Sequence, residues 1–270
     1  MYLAYYNLRE SPFNITPDPR FLFFSNQHQE AFNHLLYGVR ERKGFIELTG
    51  EVGAGKTTIC RKLLEELGAN CRTALILNPC LTAHQLLKAV VHELGLKVHG
   101  IDRLAYIEAL NEFVLAEANQ GRTVVLVIDE AQNLSPELLE QVRLLSNLET
   151  DNQKLMQIIL MGQPELRDKL GRPELRQLHQ RITVRYHLGP LDFDETGHYI
   201  NHRLNLAGAN GKPRFDADAT RLVYNYSGGI PRLINALCDK TLLAGFVTQS
   251  DLMTKKLVKL ALRELKGETL

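Results

Sequence analysis

Two short stretches of the chain combine residue types and spacing that suit phosphate chemistry. "GEVGAGKTT", from Gly50 to Thr58, fits G-x-x-x-x-G-K-[ST]. Glycines in such a loop let the backbone curl until successive N–H groups face phosphate oxygens, and a helix starting there adds its positive end. Gly50, Glu51, Val52, Gly53, Ala54, Gly55, Lys56, Thr57 and Thr58 are therefore the expected nucleotide-binding residues. Lys56 is expected to neutralise the β and γ phosphates, and the Thr57 hydroxyl to bind Mg²⁺. The second stretch, "VVLVIDEAQNL" from Val124 to Leu134, is an apolar run that ends in two adjacent acids. Asp129 suits a metal ligand beside Thr57, and Glu130 suits a base that orients a water and takes its proton. Together the two stretches imply ATP and Mg²⁺ as the ligands.

This chemistry requires strands that end at the reacting groups. "GFIELTG" is a short apolar run stopped by glycine, and a helical pattern from Lys56 to Leu67 follows directly. Further strands are expected at Thr73–Leu77, Val124–Ile128, Lys154–Gly162 and Ile182–Leu188. Helices are expected at about Gln27–Arg40, Ala83–Leu94, Arg103–Ala118 and Pro136–Asn147. Short apolar strands alternating with helices imply a parallel sheet covered on both faces. The carboxyl ends of such strands are where ligands bind, which is where Asp129 falls. After "GPLD" (Gly189–Asp192) strand signals stop, and helices are expected near 193–207, 216–226, 230–246 and 250–266. The expected division is an α/β nucleotide-binding domain over 1–190, opening with a Pro-punctuated segment within 1–44, and an all-helical domain over 191–270. "PEL" recurs at Pro136, Pro164 and Pro173, and proline followed by an acid suits a first helical turn each time.

Bulk properties set the outer bounds. With 270 residues, 44% apolar and 23% charged, the chain can bury a sizeable core without staples. Lys plus Arg (32) nearly balances Asp plus Glu (31), so no general positive field draws the chain onto nucleic acid or an anionic membrane. A local basic patch is left open. Cys60, Cys71, Cys80 and Cys238 show no metal-binding spacing and read as small core residues in a reducing compartment. No signal peptide and no apolar run of membrane length is evident, so the expected location is cytoplasmic unless an anchor lies outside this stretch.

Several longer motifs resemble the AAA+ ATPases, and within them the ExeA (GspA) family of secretion ATPases. They are "SPFNITPDPRFLF", "GEVGAGKTT", "VIDEAQNLSPELLEQVRLLSNLET", "QIILMGQPELR", "LRQLHQRI" and "SGGIPRLINALCDK". The resemblance covers essentially the whole chain. It implies a P-loop NTPase with a helical lid that hydrolyses ATP as an oligomer, a ring being one form open to it, and helps assemble a type II secretion secretin or a related pilus system. It makes Gln163 a polar sensor that orients the attacking water, and Arg232 of "GGIPR" a lid arginine touching the γ phosphate. It makes Arg181 of "HQRI" an arginine finger reaching a neighbour's ATP, with Arg176 a close competitor. Phe13, Ile15 and Phe21 serve either the adenine pocket or the core. The longest members continue into a membrane helix and a peptidoglycan-binding domain, neither of which is in this chain. Peptidoglycan is thus expected as a partner only through such a domain, and nucleic acid is not expected. A second reading is an ATP-switched DNA-binding regulator of the TniB or MuB transposition type, which share this core.

Overall fold

A computed structural model of the chain describes residues 1–77, 81–100, 102–146, 149–150 and 153–267. In chain order the first elements are α1 (Tyr2–Tyr5), α2 (Asn26–Arg40), β1 (Phe45–Gly50), α3 (Lys56–Leu67), β2 (Cys71–Ile76), α4 (Ala83–Glu93) and α5 (Arg103–Asn119). Next come β3 (Thr123–Ile128), α6 (Pro136–Leu145), β4 (Glu149–Thr150), β5 (Gln153–Lys154), β6 (Met156–Gly162), α7 (Pro164–Leu170), α8 (Arg176–Arg181) and β7 (Ile182–Leu188). The remainder is α9 (Phe193–Leu206), β8 (Arg214–Phe215), α10 (Ala217–Ser227), α11 (Pro231–Val247), β9 (Leu252–Met253) and α12 (Lys255–Leu265).

These elements form two compact units. The first consists of Gln27–Gly50 and Ile59–Leu188. Its centre is a parallel sheet in the order β2-β3-β6-β1-β7. β1 and β6 are buried along their whole length, as expected of apolar strands covered on both faces. Two of the helices between strands carry clear start signals: Thr82 and Gln85 form a reciprocal capping box on α4, and Ser135 caps α6 ahead of Pro136. The "PEL" prolines behave as expected at Pro136 and Pro164, which open α6 and α7, while Pro173 opens a 3₁₀ turn, Pro173–Leu175, that runs into α8. β4 and β5 pair antiparallel ahead of β6, so the fourth sheet strand begins at Met156 and not at Lys154. α6 ends at Leu145; the expected end at Asn147 lies outside the described residues.

The second unit consists of Met1–Asn26, Glu51–Thr58 and Gly189–Leu270. Its core joins α9 to α12 with side chains from the amino-terminal segment, including Tyr6, Leu8, Phe13 and Phe21. Arg203 of α9 is buried and donates to the carbonyls of Pro12 and Asn14 (3.1 Å to the latter) and to the Tyr199 hydroxyl at 2.9 Å. Its guanidinium lies 4.7 Å from the Phe21 ring centre. The Pro-punctuated segment has no periodic face of its own, and these contacts fix it in the helical unit, whereas the expected division put residues 1–190 together. Strand signals also do not cease at residue 192: β8 and β9 pair in parallel, and α12 therefore starts at Lys255, not at residue 250. A ladder of two residues is too short to show alternation in sequence. Among the described cysteines, Cys60 and Cys238 are buried, Cys71 is half-buried and all are free thiols; Cys80 lies outside the described residues.

Candidate functional site

In the α/β unit, the carboxyl end of β3 carries Asp129 and Glu130. The Asp129 N–H extends the parallel ladder by donating to the Ile76 carbonyl at 2.8 Å, which fixes its backbone. Its side chain is 5% exposed, and one carboxylate oxygen, Oδ1, accepts the Glu130 N–H at 2.9 Å. Glu130 then turns the chain out of the strand at φ +51, a left-handed conformation in which a side chain other than glycine is uncommon. The neighbouring Cys60 thiol on α3 is pushed up to about 12, first by burial and then by the Asp129 charge, so it stays a neutral thiol.

The Glu130 carboxylate is held by two amides. Oε2 accepts from Gln132 Nε2 at 2.5 Å and from Gln163 Nε2 at 3.2 Å. Gln132 closes the arrangement, since its Oε1 accepts the Gln163 backbone N–H at 3.1 Å. Gly162 makes room for it: a Cβ there would lie 2.7 Å from Gln132 Oε1. The Lys169 ammonium on α7 ties down the turn that carries Gln132 by donating to the carbonyls of Gln132 and Leu134. Gln163 follows β6, which pairs with β3, so the sheet brings together residues far apart in sequence. The expected sensor Gln163 thus does reach Glu130. Gln132 and Lys169 escaped the sequence reading. The only signal for Gln132 was its place two residues after Glu130, and without the β3–β6 pairing that place carries no meaning.

The helical unit contains the phosphate loop. Gly53 and Gly55 have φ of +80 and +108, and the Ala54 N–H donates to the Glu51 carbonyl at 3.1 Å. The loop therefore has the curl that the glycines predict. Lys56 is 6% exposed, and its ammonium folds back to donate to the Glu51 carbonyl at 3.0 Å. Arg232 is the second residue of α11, placed by Pro231 at the first helical position. Its N–H donates to the Gly53 carbonyl at 3.2 Å, and a Cβ on Gly53 would fall 2.3 Å from the Arg232 Cβ. The glycines ahead of α11 have the same kind of reason. Gly229 has φ +79, a Cβ on it would lie 1.8 Å from the Leu191 carbonyl oxygen, and its own carbonyl accepts the Leu191 N–H at 3.0 Å. "SGGIPR" thus sets an arginine against the phosphate loop.

Other expected site residues are placed as follows. Thr57 and Thr58 are half-buried in the first turn of α3. Phe13 and Phe21 are buried in the helical core, whereas Ile15 is 60% exposed, so of the three only Ile15 presents an apolar side chain to solvent. Arg181 ends α8 and donates within its own chain to Ser146 Oγ at 2.9 Å and to the Arg143 carbonyl at 3.4 Å. Arg176, at the start of α8, is exposed and makes no polar side-chain contact among the described residues. A hard divalent cation fits the donors available, since a threonine hydroxyl and a carboxylate are the oxygen ligands Mg²⁺ prefers. Among the described residues no cluster of three or more His, Cys, Asp or Glu competes for a metal.

Comparison with known proteins agrees with this architecture. The AAA domain family matches residues 39–170. General secretion pathway protein A of Aeromonas hydrophila is 45% identical over 99% of this chain, and the chain spans about half (49%) of that relative's length. Among solved structures, the Aeropyrum pernix ORC2 protein in ADPNP–ADP complexes superposes with a TM-score of 0.71 at 15% identity, covering 97% of this chain and 72% of that one. Cdc6p of Pyrobaculum aerophilum gives 0.72 at 18% identity over 94% of this chain and 70% of that one. At such identities the solved structures share the fold, a P-loop AAA sheet followed by a helical region. The 45% identity over 99% of this chain, across about half of that relative's length, is what relates the chain to general secretion pathway protein A, and the fold that these matches point to is that of the AAA domain.

Proposed function

We propose that this chain binds Mg-ATP, hydrolyses it to ADP and phosphate as an oligomer, and thereby drives assembly of a type II secretion (secretin) or related pilus system. The observation that carries the hydrolytic part is the Glu130 carboxylate, placed two residues beyond the end of β3 and held by the amides of Gln132 and Gln163. A carboxylate held by two amide donors has a defined direction, which suits a base for water. The loop N–H groups of Gly50 to Thr58 cradle the phosphates. On binding, Lys56 exchanges the Glu51 carbonyl for phosphate oxygens. Thr57 and Asp129 would hold Mg²⁺, which supplies neutralisation of the phosphate charge. Arg232, tethered to the loop through Gly53, senses the γ phosphate.

The biological half of the proposal rests on the relative's name and on the 45% identity. Secretion or pilus proteins are the proposed partners, with peptidoglycan reached only through a further domain. No helix among the described residues is long and apolar enough to cross a membrane. The proposed location is cytoplasmic, alone or as the cytoplasmic part of an inner-membrane protein. Two variants test the chemistry. Glu130→Gln should keep ATP binding and lose between about 10²- and 10⁴-fold in turnover, while Lys56→Ala should weaken ATP binding itself. Unchanged turnover in Glu130→Gln removes Glu130 from the mechanism. The transposition-type reading instead requires ATP-dependent, salt-sensitive DNA binding.

A further inference from the structure

α12 has a charge arrangement that the nucleotide chemistry does not use. Lys255, Lys256, Lys259, Arg263 and Lys266, the last just past the helix end, are all exposed. At about 3.6 residues per turn they fall within an arc of roughly 100° with no acid among them. The opposite side is apolar and occupied: Leu257, Val258 and Ala261 are buried, and α12 packs on α10 and α11. The nearby acid Glu264 lies off the basic arc and is already paired, with Lys240 of α11 at 2.5 Å. None of the five cations has an ion-pair partner among the described residues. The whole chain has a formal net charge of +1, so this face is a local concentration and not part of a general positive field.

We propose that the basic face of α12 docks on an anionic lipid bilayer surface. A row of unpaired like charges on one helix face is self-repelling, and anionic headgroups relieve that repulsion by complementary charge. Three features favour a bilayer over a nucleic acid. The apolar side of α12 is covered by two helices, so the face is nearly flush and cannot enter a groove about 12 Å wide as a free helix does. Residues 255–266 contain no Asn, Gln, Ser, Thr or aromatic side chain, hence nothing to read base edges or stack on bases. Four of the five cations are lysines, whose flexible stems carry point charges to a planar interface, whereas arginine is the usual choice for forked phosphate contacts.

Vesicle sedimentation of the full 270-residue chain tests this. The protein should sediment with phosphatidylcholine vesicles containing phosphatidylglycerol at about one lipid in three, and not with pure phosphatidylcholine. Raising salt to about 0.5 M should release it. Lys255→Gln/Lys256→Gln/Lys259→Gln/Arg263→Gln should lose about tenfold or more in vesicle affinity, while Lys88→Gln/Lys97→Gln, exposed cations on and after α4, should bind like the parent. The double variant Lys255→Gln/Arg263→Gln should fall between, which keeps the test decisive if the quadruple variant folds poorly. ATP turnover should be unaffected in all of them. The proposal is overturned by equal binding to uncharged vesicles, or by undiminished binding of both α12 variants. Salt-sensitive binding to duplex DNA that the α12 changes abolish, with no vesicle binding, equally sinks it and assigns the face to nucleic acid.

Discussion

Glu130 shows how a single residue can be legible in type and illegible in arrangement. An acid two positions beyond a buried apolar run is visible in the sequence, but its left-handed backbone at φ +51 is not. Such a conformation costs roughly 1–3 kcal/mol and persists only where surrounding contacts over-determine it. Here the contacts are the Asp129 carboxylate on its N–H and the two glutamine amides on its side chain. Gln132 donates to Glu130 and accepts from the Gln163 N–H, a partner 31 residues away, so its role depends on the β3–β6 pairing. Replacing Gln132 with Leu removes both bonds at similar volume. Turnover should fall about tenfold or more, the scale of one hydrogen bond to a charged group, while ATP affinity holds, since the phosphate loop is untouched. Steady-state phosphate release together with a fluorescent-nucleotide titration separates the two. A raised KM at unchanged kcat would show that Gln132 does not position the base.

At the scale of elements, the central strands of the sheet are readable because burial on both faces makes them continuous apolar runs, as in "VVLVI" and "QIILMG". The short pairs β4–β5 and β8–β9 are not, because two residues carry no period. The amino-terminal segment was misplaced for a related reason: its aromatics are anchors without periodicity, and only Arg203 and the helical core reveal which unit they serve. β1 also departs from its apolar pattern at Glu47, which is 3% exposed and lies 3.4 Å from Arg185 on the neighbouring β7. Burial pushes its carboxyl upward, and Arg185 and Arg167 only partly oppose this. The folded state thus holds the Glu47 proton more tightly than the unfolded chain does. The resulting stability is complete below the ordinary carboxylate range and is lost as pH rises through the folded value. Glu47→Gln removes the buried charge, so it should be more stable than the parent in urea at neutral pH. That advantage should shrink towards zero near pH ~4. An advantage that grew on acidification would mean that the Arg185 pair outweighs desolvation.

For the whole molecule, the open question is whether one chain is a complete ATPase. The finger expected at Arg181 spends its guanidinium inside its own chain, on Ser146 and the Arg143 carbonyl. Arg176 sits exposed at the start of the same short helix and is the better candidate to reach another subunit's ATP. A finger acting in trans is worth about 10³-fold or more in turnover, so specific activity should rise with protein concentration. Complementation then tests the geometry. Lys56→Ala lacks a working loop but keeps Arg176, and Arg176→Ala keeps the loop but lacks the finger, so each alone should be inactive. In an equal mixture, roughly a quarter of head-to-tail interfaces pair an intact loop with an intact arginine, and activity should return towards that fraction of the parent's. The matching mixture of Lys56→Ala with Arg181→Ala should show no such recovery, because Arg181 acts within its own chain. Recovery in the Arg181 mixture alone would move the finger to that residue. With no recovery in either, no arginine of α8 acts between subunits, and the loop, Glu130 and Arg232 of one chain would have to suffice.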